Sequence, residues 1–253
     1  MDEINKSLAA IFKSAGVAYL PHFQTLWPII HSYLQETEVF ILLFALIAIA
    51  DMIEYTGDNS APFKEHFVQK MKECLTFPEP SIRQGTAYLL GICAQFAPNT
   101  YSDVCLGSLE TLFQIVNMPE ARSEDNVNST ENASCAIAKI LSSYGPNIPN
   151  FEQYTANWLK TFPIIHDEEC ASFNYRMLAQ LIEHNSPVVQ GNVPEIVDHV
   201  IQALHQKSIA SENAATIVES TKKLLGTLPQ DQATTLLQRY LPEIMQTIQK
   251  WFA

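Results

Sequence analysis

Apolar residues recur at helical spacing along most of the chain. One apolar stripe runs from Ile82 to Phe96, a second from Ala133 to Tyr144 and a third from Phe173 to Ile182. Most apolar positions within a stripe are three, four or seven residues apart, which places them on one side of an α-helix. Only 8 glycines occur, and no run alternates between apolar and polar residues as a half-buried strand would. The pattern therefore predicts an all-α fold.

Helix-breaking residues divide these stripes into helical pairs. The interruptions fall at Gly57, Pro78, Pro80, Pro98, Pro146, Pro187 and Pro229. Five helical hairpins are predicted, at about 20–56, 62–97, 101–144, 150–185 and 193–226, with a flanking helix at about 3–15 and a terminal helix at about 231–252. The hairpins start about 40 to 50 residues apart, which is the period of HEAT and armadillo repeats. We therefore predict that residues 1–253 form a single HEAT-repeat array, an α-solenoid.

Each predicted hairpin consists of a first helix and a partner helix. First helices are predicted near 20–35, 62–76, 101–117, 150–162 and 193–206. Partner helices are predicted near 38–56, 81–97, 129–144, 168–185 and 211–226. Polar residues that can accept hydrogen bonds from free backbone amides stand where several partner helices begin, among them Ser129, Thr130 and Asp167.

Two local patterns predict burial. The most apolar stretch, Val39–Ala50, is about a dozen residues long and falls short of the roughly 20 that a helix needs to cross a bilayer. It is therefore predicted to be a buried helix. Asn174 lies within the apolar stripe of its helix, which predicts a buried and hydrogen-bonded side chain.

The charge balance bears on the class of partner. The chain has 15 Lys and Arg against 27 Asp and Glu, a formal net charge of −12. Nucleic-acid binding needs clustered Lys and Arg, so this balance argues against a nucleic-acid partner. It favours basic partners, although acidity is also a general route to solubility. A composition 47% hydrophobic and 17% charged supports a packed core and excludes a disordered chain.

The sequence offers no catalytic chemistry. It contains no phosphate-binding glycine loop, no G-x-S-x-G and no H-E-x-x-H. The five cysteines are widely spaced, unlike those of a zinc site or a disulfide framework. His199 and His205 are not spaced to share one helical face. We predict no catalytic residue, no cofactor and no metal site, and therefore a protein that is not an enzyme.

A surface for a partner is the remaining candidate site. Charged residues opposite the apolar stripes of the partner helices are Asp51, Glu54, Asp58, Glu131, Glu169, Arg176 and Glu183. One interpretation is an acidic lining that binds a basic protein cargo. The alternative is that these side chains are solvated, and that acids such as Asp167 and Glu168 complement the amino terminus of their helix.

Four stretches of the chain resemble a known family. They are ADMIEYTGDNSAPFKEHFVQKM (50–71), SIRQGTAYLLGICAQFAP (81–98), TENASCAIAKIL (130–141) and NWLKTFPIIHDEECASFNYRMLAQLIEHNSPVVQG (157–191). They are similar to the late HEAT repeats of beta-karyopherins of the importin beta-3 type. The resemblance is strong over about residues 40–190 and weaker over the last sixty or so. The receptors of this family are several times longer, so the chain resembles their C-terminal quarter.

The resemblance implies a nuclear transport receptor that shuttles between cytoplasm and nucleus. Such a receptor binds cargo with basic nuclear localisation signals, crosses the pore through FG nucleoporins and releases cargo when Ran-GTP binds. In the family Ran-GTP is held mainly by N-terminal repeats, which this sequence does not represent. We also expect a monomer. The charge balance predicts no nucleic-acid partner, and the short apolar run predicts no membrane insertion.

Two alternatives stay open from the sequence. The first is a HEAT-repeat scaffold or adaptor with no transport role, since one fold serves several functions. The second is an enzyme on a HEAT-like frame, such as a DNA glycosylase. The second requires a basic surface for DNA, which a chain with 27 acids and 15 bases does not favour.

Overall fold

The secondary structure of the described residues consists of helices joined by turns and irregular connections. The computed structural model describes residues 2–252, apart from the side chains of residues 2, 146 and 211, and this part contains no strand. The helices group into two compact units, Met1–Pro149 and Asn150–Ala253. The predicted all-α class is therefore confirmed.

In the first unit, partner helices of successive repeats pack against one another. Its helices are α1 (Asp2–Ala15), α2 (Leu20–Tyr33), α3 (Val39–Thr56), α4 (Lys64–Cys74), α5 (Pro80–Phe96), α6 (Pro98–Gly107), α7 (Leu109–Val116) and α8 (Val127–Tyr144). α1 contacts α3, α3 contacts α5, and α5 contacts α8. α2, α4 and α7 each contact the partner helix of their own repeat. This is the neighbour-to-neighbour packing of a repeat protein.

The helix α3 lies at the centre of this packing. Leu42, Ala45, Ile49 and Ile53 are fully buried, because α1, α2 and α5 pack around the helix. The stretch from Val39 is also long and apolar enough to pass for a membrane span, but 56% of its most apolar window is buried inside the protein. The predicted buried helix is confirmed.

The helices α5 and α8 pack closely in the first unit. A Cβ atom added to Gly91 would lie 3.0 Å from Lys139 Cδ and 3.5 Å from Ala136 Cα. The facing part of α8 is rich in Ser, Ala and Cys, and every residue from Ser129 to Leu141 is buried. Small side chains permit this approach because they let the two backbones come together without voids.

The second unit repeats the arrangement, with partner helices of 16 and 15 residues. Its helices are α9 (Phe151–Leu159), α10 (Glu168–Glu183), α11 (Pro187–Gln190), α12 (Val193–Gln206), α13 (Ser211–Leu225), α14 (Gln230–Gln238) and α15 (Pro242–Phe252). The partner helices α10 and α13 pack together, and α12 contacts α13 and α15.

Two local predictions in this unit are confirmed. The Asp167 carboxylate caps α10 by accepting a hydrogen bond of 2.9 Å from Cys170 N–H. Asn174 is fully buried and accepts a hydrogen bond of 2.8 Å from Trp158 Nε1–H. Its own amide donates to the Cys170 carbonyl at 2.7 Å. Asn174 therefore joins the first and partner helices of this repeat through a satisfied polar contact.

Other predicted boundaries are wrong for local reasons. The first helix predicted near 101–117 is divided at Ser108, whose hydroxyl donates to the Val104 carbonyl; the Gly107–Ser108 pair is a common site of helix interruption. The terminal helix predicted near 231–252 is divided before Pro242, because a residue that precedes proline disfavours the helical conformation. The short helix α11 was not predicted.

The predicted cap of α8 is also wrong. The helix begins at Val127, ahead of Ser129 and Thr130, and its N-cap residue Asn126 makes no side-chain capping bond. Both predicted caps are buried within the helix, and the Thr130 hydroxyl donates to the Ala121 carbonyl at 2.7 Å. Thr130 therefore joins the connection between α7 and α8 to α8 by a hydrogen bond.

Glycine with a positive φ ends three of the helices in the first unit. Gly16, Gly57 and Gly145 have φ of 52°, 56° and 50°, and each begins a 3₁₀ segment. At Gly57 the chain also passes close to the end of α5, where an added Cβ would lie 3.0 Å from the Phe96 carbonyl oxygen. This position therefore requires glycine for both its backbone conformation and its neighbour.

Gly57→Ala should lower the free energy of unfolding by about 1–3 kcal/mol, since it places a side chain in a left-handed conformation against a backbone oxygen. Urea denaturation of the parent and variant measures the difference. Gly107→Ala is the matched control, because Gly107 is helical with no atom within 4 Å of an added Cβ. Equal stabilities for the two variants would contradict this account of Gly57.

Candidate functional site

One side of α3 is only partly covered by the packing of the first unit. Phe40, Leu43, Ile47, Asp51 and Glu54 follow one another at intervals of three or four residues, so they lie in one line along the helix. Phe40 is 72% exposed, and the other four are partly exposed. We call these five residues the α3 stripe. Its amino-terminal half is apolar and its carboxyl-terminal half is acidic.

Asp51 has the most perturbed carboxylate of the stripe. Within the described part of the chain, Asp51 Oδ2 is buried and has no hydrogen-bond partner. Burial, followed by the negative charge of Glu54, raises the pKa of Asp51 from 3.8 to about 7. A carboxylate in this state is stabilised when it takes up a proton or when a cation approaches it. The acidic end of the stripe is therefore suited to a positively charged group.

Asp58 has a different role from Asp51 and Glu54, with which it was predicted to share a face. Its carboxylate accepts hydrogen bonds from Thr100 N–H at 2.9 Å, from the Thr100 hydroxyl at 2.7 Å and from the Asn99 amide at 2.8 Å. Burial pulls the pKa of Asp58 upward, but these hydrogen bonds outweigh it and hold the pKa below its ordinary value. Asp58 therefore fastens the start of α6 to the preceding repeat.

Glu131 does not lie on an exposed face as predicted. Its side chain is fully buried on α8, with Arg122 Nη1 at 3.8 Å from Glu131 Oε1. The physical reason is that α8 has no solvent-exposed side between Ser129 and Leu141. The prediction assumed that the side opposite an apolar stripe faces water. That assumption fails for a helix with packed neighbours on several sides.

The predicted residues of α10 share one exposed line. Glu169, Arg176 and Glu183 are seven residues apart, and all three are exposed. Arg176 lies over the Phe173 ring, with its guanidinium carbon 5.2 Å from the ring centroid. This contact turns part of the cation toward its own helix.

The last of these residues is engaged with the next repeat. The Glu183 carboxylate accepts hydrogen bonds from Lys223 Nζ at 2.9 Å and from the Ser220 hydroxyl at 3.0 Å. These bonds, Lys223 first, hold the pKa of Glu183 below its ordinary value. Glu183 therefore connects α10 to α13, and less of its charge is available to a partner.

Sequence reasoning missed the apolar half of the α3 stripe. Phe40, Leu43 and Ile47 were counted with the buried run of α3. In a helix that is apolar on every side, the sequence does not show which apolar residues face solvent. Their spacing of three and four residues in line with Asp51 was the available signal.

The described residues contain no side-chain group suited to a metal ion. In residues 2–252, no three His, Cys, Asp or Glu side chains come together in a group that could hold a metal ion. All five cysteines are buried. Burial raises the pKa of the Cys74 thiol to about 11 and that of the Cys105 thiol to about 12, so neither is a thiolate nucleophile at neutral pH.

The chain is similar to known importin sequences. A family model described as an importin repeat matches residues 167–218, and one described as importin repeat 6 matches residues 1–36. The importin subunit beta-3 of Saccharomyces cerevisiae (strain ATCC 204508 / S288c) is 49% identical over 255 residues, which span 100% of this chain. The chain covers 23% of that relative, so it spans about a quarter of the relative's length.

Solved structures of Kap121p have the same fold. Kap121p bound to RanGTP matches 99% of this chain with a TM-score of 0.88 at 46% identity, over 23% of its own length. Kap121p bound to Pho4p matches 99% with a TM-score of 0.86 at 46% identity, over 22% of its length. The predicted class of all-α HEAT-repeat solenoid is therefore confirmed.

Asp51→Asn should stabilise the folded chain at high pH. The pKa of Asp51 is about 7 in the folded chain against an ordinary 3.8, so folding favours the protonated carboxyl. Stability is then lost as the pH rises between these values, and the loss is complete above the higher one. Asparagine removes this loss. Urea denaturation should show the variant more stable than the parent at pH 8.5, with a smaller difference at pH 4.5.

Asp125→Asn serves as the control, because this side chain is exposed in the connection before α8. The Asp125 variant should differ from the parent by the same small amount at both pH values. A benefit of Asp51→Asn that does not grow with pH would show that the carboxylate is not held in a desolvated state.

Proposed function

We propose that this chain, which belongs to the importin beta-3 type of karyopherins, is part of a nuclear transport receptor that binds protein cargo through basic localisation signals. The identity of 49% across the whole chain carries this proposal. The solved relative Kap121p has been captured with RanGTP and with Pho4p. By this likeness the whole receptor shuttles between cytoplasm and nucleus. It crosses the pore through contacts with FG nucleoporins and releases its cargo when Ran-GTP binds.

The chain contributes by binding, and no reaction is assigned to it. A transport receptor needs surfaces that hold a partner and then release it, and stacked repeats provide them because each repeat contacts only its neighbours. Small rotations between repeats can then add up along the array and alter a bound surface.

We assign the cargo contact of these repeats to the α3 stripe. Asp51 Oδ2 is buried without a hydrogen-bond partner, and Glu54 adds a second negative charge beside it. A lysine amine from a cargo would donate a charge-assisted hydrogen bond to Asp51 and offset the repulsion between the two carboxylates. Phe40, Leu43 and Ile47 would contact the apolar residues that adjoin such a lysine. This combination fits a basic segment with apolar neighbours.

The other exposed acids are assigned a weaker contribution. Asp58 and Glu183 already accept hydrogen bonds from neighbouring repeats. Glu169 lies on the same line as Arg176, whose positive charge opposes a basic partner. We therefore expect Glu169 and Glu183 to attract cargo over a distance and to add little once it is bound.

A lysine-rich localisation-signal peptide should bind this chain more tightly at pH 8 than at pH 6. If the ionised form of Asp51 is the binding form, its fraction rises about tenfold over this interval, and the apparent Kd falls by about the same factor. Asp51→Asn should weaken binding at pH 8 and abolish the dependence on pH. Fluorescence anisotropy with a labelled peptide measures both.

The matched control is Glu65→Gln, which neutralises an exposed carboxylate on the first helix α4. It should leave the Kd and its pH dependence unchanged at fixed ionic strength. Charge reversal in Glu169→Lys and Glu183→Lys should act mainly on the association rate. If the peptide binds equally well to the parent and to Asp51→Asn at pH 8, the assignment of cargo to the α3 stripe is wrong.

A further inference from the structure

A cavity of about 500 Å³ lies within the second unit. Its walls come from the beginning of α10, the end of α12, the beginning of α13 and one side of α15. The apolar part of the lining is Leu204, Ile209, Ala210, Ala214 and the indole of Trp251. This volume is within the range of sites that bury a ligand of several residues or rings, and it far exceeds the space that one small ion needs.

The charged side chains of the lining carry more positive than negative charge. Lys207 and Lys250 border the cavity, and Glu168 is the one acidic residue among its lining residues. His205 Nδ1 is 3.2 Å from the Thr247 hydroxyl, which holds the ring at the cavity wall. The chain as a whole has 27 acids and 15 bases. A predominantly basic lining is therefore a local reversal of the charge of the molecule, and it favours an anionic ligand.

Lys207 is kept in a backbone conformation that favours glycine. Its φ is 59°, and it follows the last turn of α12. Ser208 N–H donates to the Ala203 carbonyl at 3.0 Å and so encloses Lys207. This hydrogen bond is typical of helix ends at which glycine occupies the position of Lys207. A lysine here is strained relative to glycine, and Lys207 lines the cavity. This strained position makes Lys207 a candidate for a role in binding.

Trp251 adds a specific surface for an apolar group. The indole is partly exposed, and Lys250 Nζ lies 4.6 Å from its ring centroid. An anion near Lys250 and an apolar side chain against the ring or the aliphatic wall would be accommodated together. The lining therefore selects for an apolar body that carries negative charge.

We propose that this cavity binds an acidic peptide segment in which carboxylate side chains flank an apolar side chain. Lys207 and Lys250 would receive the carboxylates through charge-assisted hydrogen bonds. The apolar side chain would contact Trp251 and the aliphatic wall. The preferred partner is thus opposite in charge to the basic segment assigned to the α3 stripe, and the two sites are tested independently.

Intrinsic fluorescence of the 253-residue chain tests the proposal. The probe is a capped hexapeptide with a central Phe-Leu pair flanked by two glutamates on each side. Trp27 and Trp158 are only 9% and 0% exposed, so a saturable change reports on Trp251. Lys207→Gly should weaken binding at least tenfold. Its unfolding temperature should equal or exceed that of the parent, because glycine fits φ of 59°.

Three comparisons decide the outcome. Lys160→Gln removes an exposed lysine outside the cavity and should leave the Kd unchanged. A peptide with glutamine in place of each glutamate should not bind. Inorganic phosphate should bind far more weakly than the acidic peptide. An unchanged Kd in Lys207→Gly, equal binding of the glutamine peptide, or equal binding of phosphate would each overturn the proposal.

Discussion

Contacts between equivalent positions of successive repeats hold each unit of this protein together. Polar pairs of this kind are Asp58–Thr100, Ser60–Tyr101, Lys64–Asp103, Glu183–Lys223 and Asp198–Arg239, which are 39 to 42 residues apart. The separation repeats because each pair joins one repeat to the next at the same register. The partner helices make the apolar contact between the same neighbours. A single hairpin would expose both its apolar side and these polar groups, so each repeat depends on its neighbour.

This dependence decides which charges are available to a partner. Asp58 and Glu183 accept hydrogen bonds within the stack, and their pKa values are held below the ordinary range for that reason. Asp51 lies on the partly covered side of α3, and burial raises its pKa to about 7. Asp58 and Glu183 thus join repeats, whereas Asp51 and Glu54 form the acidic end of the surface that we propose for a basic cargo.

The repeats, and much of their internal detail, could be predicted from the sequence. The glycine and proline interruptions mark the hairpins, because those residues end helices for reasons of local geometry. Asp167 and Asn174 were predicted to cap and to be buried, since each role depends on residues nearby in the sequence. The resemblance to importin beta-3 proteins agrees with the comparisons, in which importin repeats and an importin subunit beta-3 are similar to this chain.

What could not be predicted depends on neighbours distant in sequence. A helical projection treats a helix as having one buried and one exposed side, and Glu131 was assigned to the exposed side on that basis. The helix α8 is buried from Ser129 to Leu141, so the projection had no means of identifying this side chain as internal. Phe40 was the opposite case, an apolar residue that is 72% exposed. The cavity of the second unit is also formed by four separate segments, and no sequence motif marks it.

The proposed cargo site depends on Asp51, whose carboxyl group ionises when a basic cargo binds. Isothermal calorimetry of a lysine-rich signal peptide at pH 7, in buffers of different ionisation enthalpy, measures the protons released on binding. With a pKa of about 7 in the unbound chain, Asp51 should release about half a proton per peptide, and Asp51→Asn should release none. Equal proton release from the parent and the variant would show that the cargo does not bind at the α3 stripe.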